Sequence, residues 1–168
     1  EPGQVDWRIA GDDDLVAPQP TPPGPAMQPA PRAPRSFLDL AETVLCHTDP
    51  GRFALLYRLL ARLQRDPTLL SMAADVDVVA AERLAKSVRR DCHKMKAFVR
   101  FRERADGDGG HRYVAWFEPE HRILARVAPF FVTRVPGMRW TLVTPDGAAA
   151  WDGGRLAFID RDAGGALP

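Results

Sequence analysis

The chain has 168 residues, 45% of them hydrophobic, and 23 Lys and Arg against 22 Asp and Glu leave a formal net charge of +1. This length has room for one ordinary domain and a tail, because single cores usually run to about 100 to 150 residues. The sequence has no apolar stretch near the roughly 18 to 20 residues of a transmembrane helix, no signal segment and no C-x-x-C pair, which favours a cytoplasmic protein without a membrane span or a structural zinc site.

The first 35 residues divide into a short apolar piece and a proline-rich segment. Residues 1–9 include the string VDWRI, which we interpret as a short strand or as the end of a truncated N-terminal lobe. Residues 10–35 hold half of the 16 prolines and almost no large apolar side chain. Because such a segment cannot bury enough surface to offset its ordering entropy, it is predicted to be a largely disordered, semi-rigid linker. The folded core is therefore expected within residues 36–168.

Two helices are predicted directly after the linker. Apolar residues recur at helical spacing after Ser36, which predicts a first helix that ends near residue 48. A second helix is predicted over residues 49–64, with Asp49 as its N-cap and Pro50 in the first helical position. Together the two helices are expected to form a hairpin.

A third helix and the strand after it carry the densest charge in the chain. The helix begins at Asp75 or Asp77, and its apolar stripe ends where the pattern changes to the alternation of a strand over residues 97–104. Over residues 83–104, nine Lys or Arg residues stand against two acids, a local charge of +7. A block of this density is typical of a surface that meets a polyanion, and nucleic acid is the commonest candidate.

The remaining elements complete an α+β fold. Three further strands are predicted, over residues 113–117, 139–143 and 156–159. The first of them returns beside residues 97–104 as a hairpin. A fourth helix begins at Pro119 and Glu120, and Pro129 is expected to bend or end it. The predicted arrangement is N-terminal helices followed by a small, mostly antiparallel sheet with a crossing helix, all preceded by the proline-rich linker.

Four long strings of this sequence resemble one known family. They are RFALLYRLLARL (residues 52–63), AKSVRRDCHKMKAFVRFRE (residues 85–103), RYVAWFEPEHRILARVAPFFVTR (residues 112–134) and GMRWTLVTPD (residues 137–146). The family is DUF4130, whose members are described as probable DNA metabolism proteins. The resemblance covers nearly all of residues 36–160, and strings of this length are specific.

The resemblance to DUF4130 implies a setting more than a reaction. Such domains are found ahead of a uracil-DNA glycosylase-like domain of the UdgX kind, or beside a radical-SAM protein thought to act on nucleic acid, so the resemblance implies bacterial DNA repair. Compared with a full member, this chain starts late and stops before the helical tail and any glycosylase domain. The sequence lacks glycosylase motifs and the cysteines of an iron–sulfur cluster, so no cofactor is expected here and such a cluster only in a missing glycosylase domain.

The basic block supplies the candidate binding residues. Eight side chains on the helical stripe and the strand, which could form one surface, are predicted to contact phosphates rather than bases: Arg83, Lys86, Arg89, Arg90, Lys94, Lys96, Arg100 and Arg102. The expected function is a non-catalytic DNA-binding or substrate-positioning domain of a bacterial DNA-repair protein. Its expected partners are DNA and a uracil-DNA glycosylase-like domain or a radical-SAM protein. One alternative is a protein-interaction module that docks on an acidic partner surface.

A second alternative is a metal-dependent enzyme that modifies nucleic acid. Four residues could form its site if the end of the third helix meets the start of the fourth: His93, Glu118, Glu120 and His121. Their spacing lacks a known metal signature, and the helix dipole already favours His near a helix C-terminus and Glu near an N-terminus. No metal is therefore expected, and whether the parent protein is an enzyme stays open.

Six aromatic residues could in principle stack on bases: Trp116, Phe117, Phe130, Phe131, Trp140 and Trp151. Most of them alternate with charged or small residues in strand patterns, which favours packing in the core. Trp151, beside a predicted turn, is expected to lie nearest the surface.

Overall fold

The structure of the chain, a computed structural model, describes residues 32–105 and 111–160. Its elements in chain order are α1 (Arg35–Leu45), α2 (Arg52–Leu63), a 3-10 turn (Leu69–Ser71), α3 (Val76–Phe98), β1 (Arg102–Ala105), β2 (His111–Trp116), α4 (Leu124–Arg134), β3 (Trp140–Thr144), β4 (Gly147–Trp151) and β5 (Leu156–Asp160). None of the helices in the described part of the chain is long and apolar enough to cross a bilayer. The predicted lobe end (residues 1–9) and residues 10–31 of the predicted linker lie outside the described residues.

α1, α2 and the N-terminal half of α3 pack around one apolar cluster, whose fully buried members include Val44, Leu59 and Ala81. α3 begins at one of the two predicted caps, because the carboxylate of Asp75 accepts the backbone N–H groups at the start of the helix. The same carboxylate pairs with Arg62 of α2, and this hydrogen bond lowers the pKa of Asp75. The cap therefore also ties α3 to α2.

α2 begins two residues later than predicted, because the residues before it form a turn. Oδ1 of Asp49 accepts the N–H of Gly51 at 2.7 Å instead of capping a helix that starts at Pro50. The buried guanidinium of Arg52 donates to the carbonyl oxygens of Leu45 and Asp49. Arg52 thus closes the turn between α1 and α2.

The five strands form one sheet in the order β1-β2-β3-β4-β5. β2 and β3 are parallel and are connected through α4, whereas the other neighbouring strands are antiparallel. The predicted α+β arrangement, with helices followed by a mostly antiparallel sheet and a crossing helix, is therefore confirmed. A second apolar cluster, which includes Val88, Val127 and Trp140, joins α3 and α4 to the sheet.

α3 extends beyond its predicted end, and β1 is shorter than the predicted strand over residues 97–104. The prediction was wrong at this boundary because the core positions of α3 continue at helical spacing after Met95. Val99, four residues later, is buried too, and its N–H donates to the carbonyl oxygen of Met95 at 3.1 Å. Arg100 then donates from Nη1 to the carbonyl oxygens of Ala97 and Val99, which closes the end of the helix.

α4 begins later than predicted, and Pro119 is not its first turn. Backbone donors of the preceding segment are bound by other parts of the fold. The N–H of His121 donates to Oδ2 of Asp91 at 2.9 Å, and the N–H of Arg122 donates to the carbonyl oxygen of Cys46 at 2.9 Å. The segment therefore follows the surface of α3 and the end of α1 rather than winding into a helix.

Two smaller differences concern Pro129 and β4. Pro129 lies in the second turn of α4, and the helix continues beyond it to Arg134. β4, with the sequence GAAAW, was not predicted because Gly and Ala have low strand propensity. It forms because it pairs on both sides, with β3 and with β5.

The two faces of the sheet differ because successive residues of a strand point to opposite sides. The face toward α3 and α4 carries buried residues such as Ala115, Trp140 and Leu142. We call the opposite side the outer face. By register, it carries Arg102 and Arg104 of β1 together with Val114 and Trp116 of β2.

Candidate nucleic-acid interface

Seven of the nine Lys and Arg residues of the basic block line two grooves. The first, which we call the helix groove, lies on α3, has a volume of about 560 Å³ and is lined by Arg83, Lys86, Ser87, Arg89 and Arg90. The second, the strand groove, lies at the outer face, has a volume of about 380 Å³ and is lined by Phe98, Arg100, Arg102, Arg104, Val114 and Trp116. No residue lines both, so the helical stripe and the strand face occupy separate grooves.

Three cations of the helix groove have no ion-pair partner among the described residues. Arg83, Lys86 and Arg90 recur three and four residues apart, so they lie on one side of α3, and all three are exposed. Arg89 differs, because its Nη2 lies 2.8 Å from Oε2 of Glu82. The charges of Arg83, Lys86 and Arg90 are therefore the ones that an approaching anion meets without competition from a bonded carboxylate.

Lys94 and Lys96, which are also predicted to contact phosphates, have partners elsewhere. Nζ of Lys94 lies 2.7 Å from Oε1 of Glu120, and this hydrogen bond lowers the pKa of the Glu120 carboxyl group. Nζ of Lys96 lies 5.0 Å from the ring centroid of Phe130, within the range of a cation–π contact. Both cations thus connect α3 to α4 and the segment before it.

A polar cluster around the buried His121 lies behind the helix groove. The Ser87 hydroxyl, in the wall of the groove, lies 2.9 Å from Nε2 of His121, and Nδ1 of His121 lies 3.4 Å from Oγ1 of Thr48. His121 is buried, and the carboxylate of Asp91 holds its backbone N–H. In the tautomer with the proton on Nε2, His121 donates to Ser87 and leaves the serine proton available to an anion in the groove.

His47 extends this cluster toward α1. Its ring centroid lies 4.1 Å from that of His121, and its Nδ1 accepts the N–H of Asp49 at 2.9 Å. Burial lowers the pKa of His47, and the neighbouring His121 ring lowers it further, although Asp49 opposes the shift. His47 is therefore mainly neutral at pH 7 and carries its proton on Nε2.

The four candidate catalytic residues have different surroundings. His121 is buried, His93 is exposed on α3, Glu118 is exposed, and Glu120 is paired with Lys94. Within residues 32–105 and 111–160, no group of three or more His, Cys, Asp or Glu could hold a metal ion. The side chain within hydrogen-bond distance of Nε2 of His121 is Ser87, which was not one of the four candidates.

Two aromatic side chains of the strand groove are exposed. Phe98, the last residue of α3, is 67% exposed, and Trp116, the last residue of β2, is 60% exposed. Trp140 is buried as predicted, whereas Trp151 is half-buried and donates from Nε1 to the carbonyl oxygen of Pro136. The prediction that Trp151 lies nearest the surface was wrong, because Trp116 falls on the outer face in the alternation of β2.

Three arginines surround these aromatic side chains. Arg102 and Arg104 lie on the outer face of β1, and neither has an ion-pair partner in the part of the chain that the structure describes. The guanidinium of Arg100 is held beside the groove by two backbone oxygens. Glu103 alternates to the other side, where its Oε1 lies 2.6 Å from Nδ1 of His111. The described residues that line the groove therefore include three cations and no acid.

Phe98 and Ser87 were not among the candidate residues, and Trp116 was considered for stacking on bases but was expected to pack in the core. A usable signal existed for Trp116, because alternation in β2 places it opposite to the side of the small, core-facing Ala115. A weaker signal existed for Ser87, which lies one helical turn before Asp91 and so on the same side of α3. The exposure of Phe98 depends on where α3 ends, which the residue pattern did not indicate.

One family model matches the chain, over residues 50–161, and its description is "Domain of unknown function (DUF4130)". The match spans about two thirds of the 168 residues and includes both grooves. No curated protein and no solved structure gives a significant match.

Proposed function

We propose that this chain, which belongs to the DUF4130 family, is a non-catalytic nucleic-acid-binding domain that holds DNA by its phosphates and positions it for a partner domain. The observation that carries the proposal is the helix groove, in which Arg83, Lys86 and Arg90 are exposed without a carboxylate partner among the described residues.

Unpaired cations on one side of a helix suit a phosphate backbone. Each phosphate that such a cation neutralises releases condensed counterions, and this gain does not depend on the base sequence. Ser87 adds a neutral donor between the cations, and its partner His121 can leave the hydroxyl proton free. Binding at the helix groove is therefore expected to depend strongly on salt and weakly on sequence.

The sequence resembles a family whose members are described as probable DNA metabolism proteins, and this resemblance supports the wider setting. In this proposal, the domain serves bacterial DNA repair in the cytoplasm, with a uracil-DNA glycosylase-like domain of the UdgX kind or a radical-SAM protein as the catalytic partner. The domain contributes affinity and orientation, and the partner contributes the reaction. The proposal needs no cofactor in this chain.

A salt series tests the helix groove. We expect the triple variant Arg83→Gln/Lys86→Gln/Arg90→Gln to bind duplex DNA more weakly at low salt and to lower the slope of log affinity against log salt by about 2.7, because each phosphate contact contributes about 0.9. A matched control removes three cations outside both grooves with Arg35→Gln, Arg65→Gln and Arg134→Gln, which are all exposed. The control variant should keep most of the wild-type slope of log affinity against log salt.

Three outcomes would contradict DNA binding at the helix groove. One is a wild-type affinity that does not change with salt, and another is an equal loss of slope in the two triple variants. The third is that polyglutamate competes as well as DNA at physiological salt, which would favour docking on an acidic protein surface. Metal-dependent turnover of DNA by the purified chain would overturn the non-catalytic assignment.

A further inference from the structure

We propose that the strand groove is a site for single-stranded nucleic acid, in which Phe98 and Trp116 stack on bases while Arg102 and Arg104 hold the neighbouring phosphates. The inference rests on the proposed function, because it assigns a strand preference to one of the two grooves of a nucleic-acid-binding domain. It assigns roles to two aromatic residues that a binding mode based on charge alone does not use.

The exposure of the aromatic side chains is the first support. Phe98 and Trp116 leave more than half of their surface in water, whereas aromatic side chains such as Phe131 and Trp140 are buried in the apolar cluster on the other side of the same sheet. Large aromatic side chains usually contribute most by burial, so two of them exposed in one groove mark a surface that a ligand covers. The faces of nucleobases are apolar enough to cover them.

The charges around the aromatic side chains are the second support. Register places Arg102 opposite Val114 and Arg104 opposite Arg112, so the cations follow β1 along the outer face with Trp116 at one end. The acid of this strand, Glu103, lies on the other side of the sheet. A strand of nucleic acid laid along β1 would meet cations at the spacing of alternate residues and an aromatic platform at the end.

The combination selects single strands over duplexes. In a duplex, the base faces are stacked on each other and only phosphates and groove edges are accessible, so Phe98 and Trp116 would gain nothing. In a single strand, the bases are free to stack on protein rings, and this contact tolerates any base because every base has a π-face. An acidic peptide would satisfy the arginines but not the aromatic rings.

The test compares a short oligothymidylate with a duplex of the same length, using the whole chain. We expect Phe98→Ala and Trp116→Ala each to weaken binding of the single strand by about 5- to 150-fold, the equivalent of one lost stacking contact of about 1 to 3 kcal/mol. Trp116→Phe should restore most of the affinity, because a phenyl ring still stacks. Tyr57→Ala is the matched control, since Tyr57 is 55% exposed on α2 and lines neither groove.

Tryptophan fluorescence gives a second readout. Stacking on a base should quench Trp116, so the oligothymidylate should lower the emission of the wild-type chain and lower that of Trp116→Ala much less. Unchanged melting temperatures would show that the variants remain folded, as expected for side chains that are exposed.

The results separate this inference from the proposed function. If Phe98→Ala and Trp116→Ala bind the single strand as the wild type does, while the helix-groove triple variant loses salt dependence, the strand groove is not a stacking site but the domain still binds nucleic acid. Equal or tighter binding of the duplex in the wild type would also overturn the inference. If none of the variants loses affinity for either the single strand or the duplex, both proposals are rejected.

Discussion

The helix groove and the strand groove come from one continuous run of basic sequence, yet they rest on different supports. Behind the helix groove, Ser87, His121 and Asp91 form a polar cluster joined by hydrogen bonds. Behind β1, the support is aromatic, because the ring centroid of Phe101 lies 5.6 Å from that of Trp140. The cations of the first groove lie on a helix beside the Ser87 hydroxyl, whereas those of the second lie beside the exposed rings of Phe98 and Trp116.

This difference teaches that charge density in a sequence does not define a mode of binding. The nine basic residues have different roles that depend on what packs beside each of them. Some are unpaired, some form ion pairs, one makes a cation–π contact and one closes the end of a helix. A groove lined by cations alone binds phosphates. A groove lined by cations and aromatic rings also binds unstacked bases. If the two supports are independent, a substitution that disrupts the support of one groove should leave binding at the other groove unchanged.

The largest effect is expected from the aromatic support of the strand groove. Trp140 is 1% exposed and contacts both Phe101 and Phe131, so Trp140→Ala should lower the free energy of unfolding by about 3 to 5 kcal/mol. Trp140→Phe should cost less than Trp140→Ala, because it keeps a ring and because Nε1 of Trp140 has no hydrogen-bond partner among the described residues. Urea denaturation measures both.

Binding by the same variants sharpens the comparison. Trp140→Ala should weaken binding of single-stranded DNA, because it loosens β1 through Phe101, and should leave the salt slope for duplex DNA nearly unchanged. If Trp140→Ala lowers the affinity for single-stranded DNA and the salt slope for duplex DNA by the same factor, the two grooves share one support.

A smaller effect is expected from the polar support of the helix groove. Asp91 is 3% exposed and accepts the backbone N–H of His121, so Asp91→Ala leaves that buried donor without a partner and should cost about 1 to 3 kcal/mol. Asp91→Asn keeps an acceptor oxygen and should cost less. Urea denaturation and the duplex salt series together test the pair of variants. A larger loss in Asp91→Asn than in Asp91→Ala would contradict this role of the carboxylate.

Much of the fold could be predicted because it is locally encoded. The apolar periodicity of α1 to α3 and the cap at Asp75 depend on residues within a few turns. The end of α3 could not be predicted, because Val99 fits both a helical and an alternating pattern and only its burial decides between them. β4 depends entirely on its two neighbouring strands, since GAAAW has little strand propensity of its own.

The candidate site shows the same division. The cations could be identified from the sequence, because charge is a property of each residue. Their partners could not, because Glu120 and Phe130 reach Lys94 and Lys96 only after α4 has packed on α3. Sequence also could not pair Ser87 with His121, which lie 34 residues apart. Tertiary packing therefore decides which members of the basic block remain available to a ligand.

The smallest expected effect is a pH dependence of the polar support. Burial lowers the pKa of His47 in the folded chain, so the unfolded chain binds this proton more readily. The free energy of unfolding should therefore be unaffected by His47 well above pH of about 6.5, the usual value for histidine, and should decrease as the pH falls below it. Asp75 and Asp77, whose pKa values are lowered by hydrogen bonds to Arg62 and Arg58, lose their contribution only near and below pH of about 4.

The two pH windows make the effect of His47 separable. Between about pH 7.5 and 5.5, urea denaturation of the wild type should show a decrease in stability that His47→Asn reduces, because asparagine cannot take up the proton and can still accept the N–H of Asp49. His93→Asn, at an exposed position of α3, is the matched control and should keep the wild-type decrease. An increase in stability on acidification, or an equal response of the two variants, would contradict the assignment. Because the described residues that line the strand groove include no histidine, binding of a single strand there should stay constant over this range.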